Sequence, residues 1–162
     1  MIKKIILLLI LISCLNGCTR DDICSEATAT TPLLIITFKD ITNPLVAKSV
    51  ENLTIDTDYT NSVRVIDGIQ TDSIGLPLRP GANSARFRFI LNAGETNEIT
   101  DVYEFNYERE DIYVNRACGF KTIYNSLTAT EDDEGLIDWI INLNILKSTV
   151  ENEIEAHITI LH

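Results

Sequence analysis

The chain holds four cysteines and two histidines, and their placement bounds most of the chemistry available to it. Cys18 follows Leu15, Asn16 and Gly17, behind a leader in which Lys3 and Lys4 precede the apolar run Ile5 to Ile12. That order resembles a bacterial lipobox, in which the cysteine becomes a lipid attachment point. About twenty apolar residues are needed to cross a bilayer, and this run is far shorter, so it reads as a signal peptide over residues 1–17 rather than a membrane span. Leu11, Ile12, Ser13 and Cys14 offer a second cleavage point. Cleavage there leaves Cys18, Cys24 and Cys118 as an odd set, whereas cleavage before Cys18 leaves one even pair beyond the lipidated residue. Thiols in an oxidising envelope end as disulfides, which predicts a bridge between Cys24 and Cys118. Closing a loop on the order of a hundred residues is worth roughly 4 to 5 kcal/mol in the chain-entropy account. Neither cysteine has a Cys or His at ligand spacing, which argues against a metal site or a nucleophilic thiol.

The remaining reactive groups form no recognisable constellation. His157 and His162 lie five residues apart, so on one strand they point to opposite faces and do not share a metal. His157 reads as a solvent-facing or interface residue rather than a general base. No Gly-x-Ser-x-Gly elbow supports a Ser, His, Asp triad. The run Glu131, Asp132, Asp133, Glu134 lacks the alternating spacing of a calcium loop and reads as a charged turn. Tyr103, Phe105 and Tyr107 are either a sugar-stacking platform or a core stripe, and a core stripe is the commoner use. No phosphate loop, metal or other cofactor is expected.

The elements that must position these residues are strands. Ala85, Phe87, Phe89 and Leu91 alternate with Ser84, Arg86, Arg88 and Ile90, the period-two pattern of a half-buried strand. The pattern recurs over Ile99 to Tyr107, over Ile137 to Ile145 and over Ile154 to Ile160. Weaker candidates are Leu33 to Phe38, Val50 to Ile55, Ser62 to Ile66, Ile74 to Leu78, and Ile112 to Tyr124 folding back near Gly119. Turn-forming residues separate them at Thr42 to Pro44, Asp67 and Gly68, Arg79 to Gly81, Asn92 to Gly94, and Thr130 to Gly135. Asn92 to Gly94 reads as a hairpin connection. Eight or nine short strands without an amphipathic helix predict an all-β fold, an antiparallel β-sandwich of Ig-like architecture. Trp139 lies after both cysteines, unlike the antibody-domain order.

Length and charge complete the bounds. Of 162 residues, removal of 17 leaves 145, enough for one domain with a substantial core. The predicted organisation is a lipidated tether over 18–31 and one sandwich over 32–162. Losing Lys3 and Lys4 takes the formal charge from −11 to −13. Nucleic acid and anionic membrane surfaces are repelled by such a chain, so no nucleic-acid partner is expected; the acidity reads as serving solubility, a cationic partner or divalent metal being the other reading.

Several stretches resemble a Bacteroidetes-type family of exported lipoproteins of unknown function. They are Asp21 to Cys24 with Glu26 and Ala27, Thr31 to Ile36, Leu76 to Leu78, Arg116 to Gly119, and Ala156 with His157. The resemblance implies no activity, but it agrees with Cys18 as the anchor and with Cys24 and Cys118 as a pair. By the same resemblance Thr19 to Asp22 is like the tether that routes such lipoproteins to the outer face of the outer membrane, a solvated linker being the other reading. Asp72, Ser73 and Ile74 resemble the pattern used for O-glycosylation, which makes Ser73 a candidate. The expected protein is a lipid-anchored outer-membrane component, periplasmic or surface-exposed. It acts as a non-enzymatic module holding an envelope protein or a surface glycan through an edge strand or loop end. The alternative is an envelope hydrolase or carbohydrate-active domain with carboxylates assembled across strands.

Overall fold

The computed structural model describes residues 23–25, 28, 30–132 and 137–162. Nine strands follow in order: β1 (Leu34–Lys39), β2 (Val50–Thr57), β3 (Arg64–Thr71), β4 (Ser73–Leu76), β5 (Ser84–Leu91), β6 (Ile99–Asn115), β7 (Gly119–Glu131), β8 (Asn142–Ile145) and β9 (Ile158–Leu161). They form a four-stranded sheet, β4-β1-β9-β8, and a five-stranded sheet, β3-β2-β5-β6-β7. The fold is an all-β sandwich.

The alternation that predicts the strands is also what fills the core. Leu34, Ile36 and Phe38 from β1 meet Ala85, Phe87 and Phe89 from β5 and Tyr103, Phe105 and Tyr107 from β6 in one buried cluster. Each lies on the inward face of its pleat, and its neighbours face out. The Tyr103, Phe105, Tyr107 stripe is therefore core, with Phe89 edge-on to Tyr103. Between β3 and β4 only Asp72 intervenes, and its carbonyl accepts the Phe38 N–H at 2.8 Å as the chain changes sheets.

Four local expectations are corrected. The sandwich is not purely antiparallel, because β9 runs parallel to β1, pairing Ile36 with Ile158 and Phe38 with Ile160. All four residues of β9 are buried, as suits a parallel central strand covered on both faces. Asp67 and Gly68 do not turn the chain. They sit inside β3, where Gly68 at φ +57° makes a bulge against β2 and its N–H donates to Thr54 Oγ1. The strand expected over Ile137 to Ile145 shrinks to β8. Trp139 is buried while Ile137 and Ile141, which would share its face in a strand, are exposed, so no one face of this segment is buried. Here the large sheet replaces the ladder: the Asp101 carboxylate accepts the N–H groups of Trp139 and Ile140, and the indole N–H donates to the Phe89 carbonyl at 3.0 Å. The strand expected from Ile154 starts only at Ile158; Ile154 is exposed, with its N–H held by the Asn152 side chain.

Candidate functional site

Strand β6 is 17 residues long, and its last residues run beyond the sandwich body. β5 pairs with it as far as Asn106; beyond that point β6 pairs with β7, which still buries Ile123, Tyr124 and Leu127 and bonds Ser148 and Val150 on its other side, so only residues 112–121 project as a two-stranded arm. Ser126 in β7, at φ +56°, stands at the register shift between Asn106 and Glu108, a bulge beyond which β7 still packs Tyr124 into the core. At its tip Asn115 Oδ1 accepts the N–H groups of Ala117 and Cys118, and Gly119 takes φ +70°, which closes the turn. Cys118 in that turn is bonded to Cys24. The N-terminal segment is held there a second time by Thr31 Oγ1, which accepts the Thr122 N–H at 3.0 Å.

Around the staple the surface is apolar as well as basic. Tyr113 and Phe120 are cross-strand partners with rings edge-to-face at 5.4 Å, and both are exposed. Ile23 is 83% exposed beside them. A shallow hollow of about 390 Å³ lies between Ile23, Thr28, Tyr113, Val114 and Arg116.

At the other end of β6 the outer face of the large sheet carries interlocked charges. Asp56 on β2 stands opposite Arg88 on β5 and Arg64 on β3. Arg64 Nε bonds Asp56 Oδ1 at 3.0 Å and Arg64 Nη1 bonds Asp67 at 2.9 Å, which pushes the Arg64 pKa up, chiefly through the Asp56 bond. Arg88 Nη2 approaches Asp56 at 3.7 Å and donates to Ser62 Oγ. Arg86 reaches Asp58 and Asp132. Its Nε is 2.6 Å from Asp58 but off the hydrogen-bond direction, so that contact is ionic. With Glu98, Ile90 and Thr100 this face encloses an open groove of about 410 Å³ beside the β5–β6 connection. Its guanidinium and carboxylate groups present donors and acceptors side by side, as a polar ligand or a hydrogen-bonding protein surface requires.

The two histidines are engaged by backbone and packing. His157 is buried, not solvent-facing. Its Nδ1 accepts the Ile35 N–H at 3.0 Å and its ring bonds the Asn152 backbone, while desolvation lowers its pKa, with Lys147 adding to the effect. His162 packs edge-on against Phe38 and Trp139, meets the Lys48 carbonyl through Nε2, and is likewise lowered by desolvation. Both rings are spent on backbone and packing. Among the described residues no three His, Cys, Asp or Glu side chains gather as a metal set. Ser73 begins the edge strand β4 with its side chain exposed. Cys18, the leader, Thr19 to Asp22, Asp133 and Glu134 lie outside the described residues.

Two features escaped the sequence reading. The charge ladder was foreshadowed by Asp56 with Asp58 and Arg86 with Arg88, two pairs at strand spacing, but their opposition depends on β2 pairing with β5. The exposed tip aromatics sit symmetrically about the Asn115 to Gly119 turn, a signal visible once that turn is placed.

The model of a family of unknown function (DUF6452) matches residues 52–162, from β2 through β9. No curated protein and no solved structure matches.

Proposed function

The chain belongs to that family of unknown function, and we propose that it is a lipid-anchored module of the cell envelope, tethered through Cys18, that holds another envelope component without transforming it. The observation that carries this reading is the position of the staple. The Cys24–Cys118 bridge fastens the segment following Cys18 to the tip of the β6–β7 arm, while the groove of Asp56, Arg64, Arg88 and Glu98 adjoins the start of β6. At ~3.3 Å per residue, roughly 50 Å of strand separates the two ends. A tether at one end leaves the other directed away from the membrane, where a partner can reach it. The engagement of both histidines in backbone bonds favours binding over hydrolysis.

The reading is tested by purifying the tagged protein from native envelopes in mild detergent, beside the variant Arg64→Glu. A component recovered in stoichiometric amount with the parent, and lost from the variant while the variant keeps its fold by circular dichroism, is the expected result. Recovery of the protein alone from every envelope preparation would contradict it.

A further inference from the structure

We propose that the tip of the β6–β7 arm is a membrane-contact surface, with Tyr113, Phe120 and Ile23 resting in the headgroup region of a phospholipid bilayer and Arg116 facing its phosphates. The proposal rests on Cys18 being lipidated and extends that reading from a tether to a fixed orientation.

Reach is the first argument. Cys18 precedes Cys24 by six residues, and a chain spans at most ~3.5 Å per residue, so the bridge holds the arm's tip within about 20 Å of the acylated residue. The composition of the tip is the second. Two large aromatics and an isoleucine are exposed together, and Tyr113 carries the apolar body and polar end that suit a membrane–water interface. These rings fill no core: Tyr113 is 59% and Phe120 67% exposed, whereas Tyr103, Phe105 and Tyr107, further down β6, are buried.

Charge is the third. The molecule as a whole is acidic, which opposes an anionic surface, but exposed charges beyond about a Debye length of ~8 Å are largely screened at physiological salt. Arg116 is exposed in the tip turn, whereas Lys121 donates to the Glu151 carbonyl, and the carboxylates of Glu110 and Asp111 stand lower on the hairpin, bonded to the neutral side chains of Asn125 and Thr122. The tip turn therefore meets the surface with Arg116 foremost, ahead of the carboxylates. Contact by three side chains is weak on its own, yet the tether makes it intramolecular, and the high effective concentration keeps it engaged.

The test uses the full lipidated chain in vesicles of phosphatidylethanolamine with a minor share of phosphatidylglycerol. Tyr113→Trp, Phe120→Trp and Ile69→Trp are compared with the parent, whose only tryptophan, Trp139, is buried. Ile69 pairs with Leu53 and so lies level with the start of β6, at the far end. Replacing part of the lipid with acyl-brominated lipid is expected to at least halve the added fluorescence at 113 and 120 and to leave that at 69 unchanged. Equal quenching at all three sites, or none at 113 and 120 in protein whose acylation is verified by mass, overturns the tip contact and leaves the tether standing. Protein that carries no lipid on Cys18 overturns both.

Discussion

At the scale of single residues the most informative side chain is His157. Its burial, its acceptor bond from Ile35 and the nearby Lys147 all favour the neutral ring, and its pKa lies below the usual 6.5. A base whose pKa is lower in the folded than in the unfolded state leaves the unfolded chain binding more protons at acid pH. Stability contributed by His157 is thus complete above the unfolded value near 6.5 and declines as pH falls toward the folded value. His162, lowered by the same cause, adds in the same direction. In His157→Asn the amide oxygen can replace Nδ1 as acceptor for Ile35 without titrating. Urea unfolding between pH 5 and 7 should show a shallower acid decline in the variant, with His162 supplying what remains. Parallel curves for variant and parent would show that the ring is not the source. The sequence placed this histidine on a polar face because Glu155, His157 and Thr159 alternate with apolar residues. Alternation reports which face a strand would bury if one face were wet, and β9 is covered on both.

At the scale of elements the arm and its staple decide how the molecule is held. The bridge closes a loop with a sequence separation of 94, and constraint of the unfolded chain accounts for most of the stability expected from it, about 4 to 5 kcal/mol for a loop near that size. In the folded state the bond holds only the short segment before Thr31, whose hydroxyl bonds Thr122 independently. The double variant Cys24→Ser, Cys118→Ser should therefore unfold at lower temperature and denaturant, with faster hydrogen exchange at residues 112–121 and unchanged Trp139 fluorescence before the transition. Loss of the Trp139 signal in the absence of denaturant would mean that the bridge supports the core itself. β5 and the first half of β6 were legible because each buries one face, and period two is the mark of that state; β1 was legible as a continuous apolar run. Segment 137–145 was not legible. Its buried residues are fixed by a carboxylate on β6 and a carbonyl on β5, partners distant in sequence that no local pattern announces. The parallel pairing of β9 with β1 is hidden for the same reason, since it joins residues 122 positions apart, as for Thr37 with Thr159.

At the scale of the whole molecule a long axis is defined by β6. One end is stapled to the segment that follows Cys18 and bears exposed aromatics with Arg116; the other bears the arginine and aspartate groove. The polar face of that sheet was partly readable, as Arg86 and Arg88 point away from the core face in sequence as in structure, but the groove required strand order, which composition does not carry. An axis with distinct ends would orient the protein at a membrane if Cys18 carries the lipid proposed for it. The deciding measurement is the intact mass and N-terminal peptide mass of protein extracted from native membranes. The account predicts a chain that begins at Cys18 and carries acyl chains on that residue. A mature chain that retains residues 1–17, or that bears its lipid on Cys14, would contradict it.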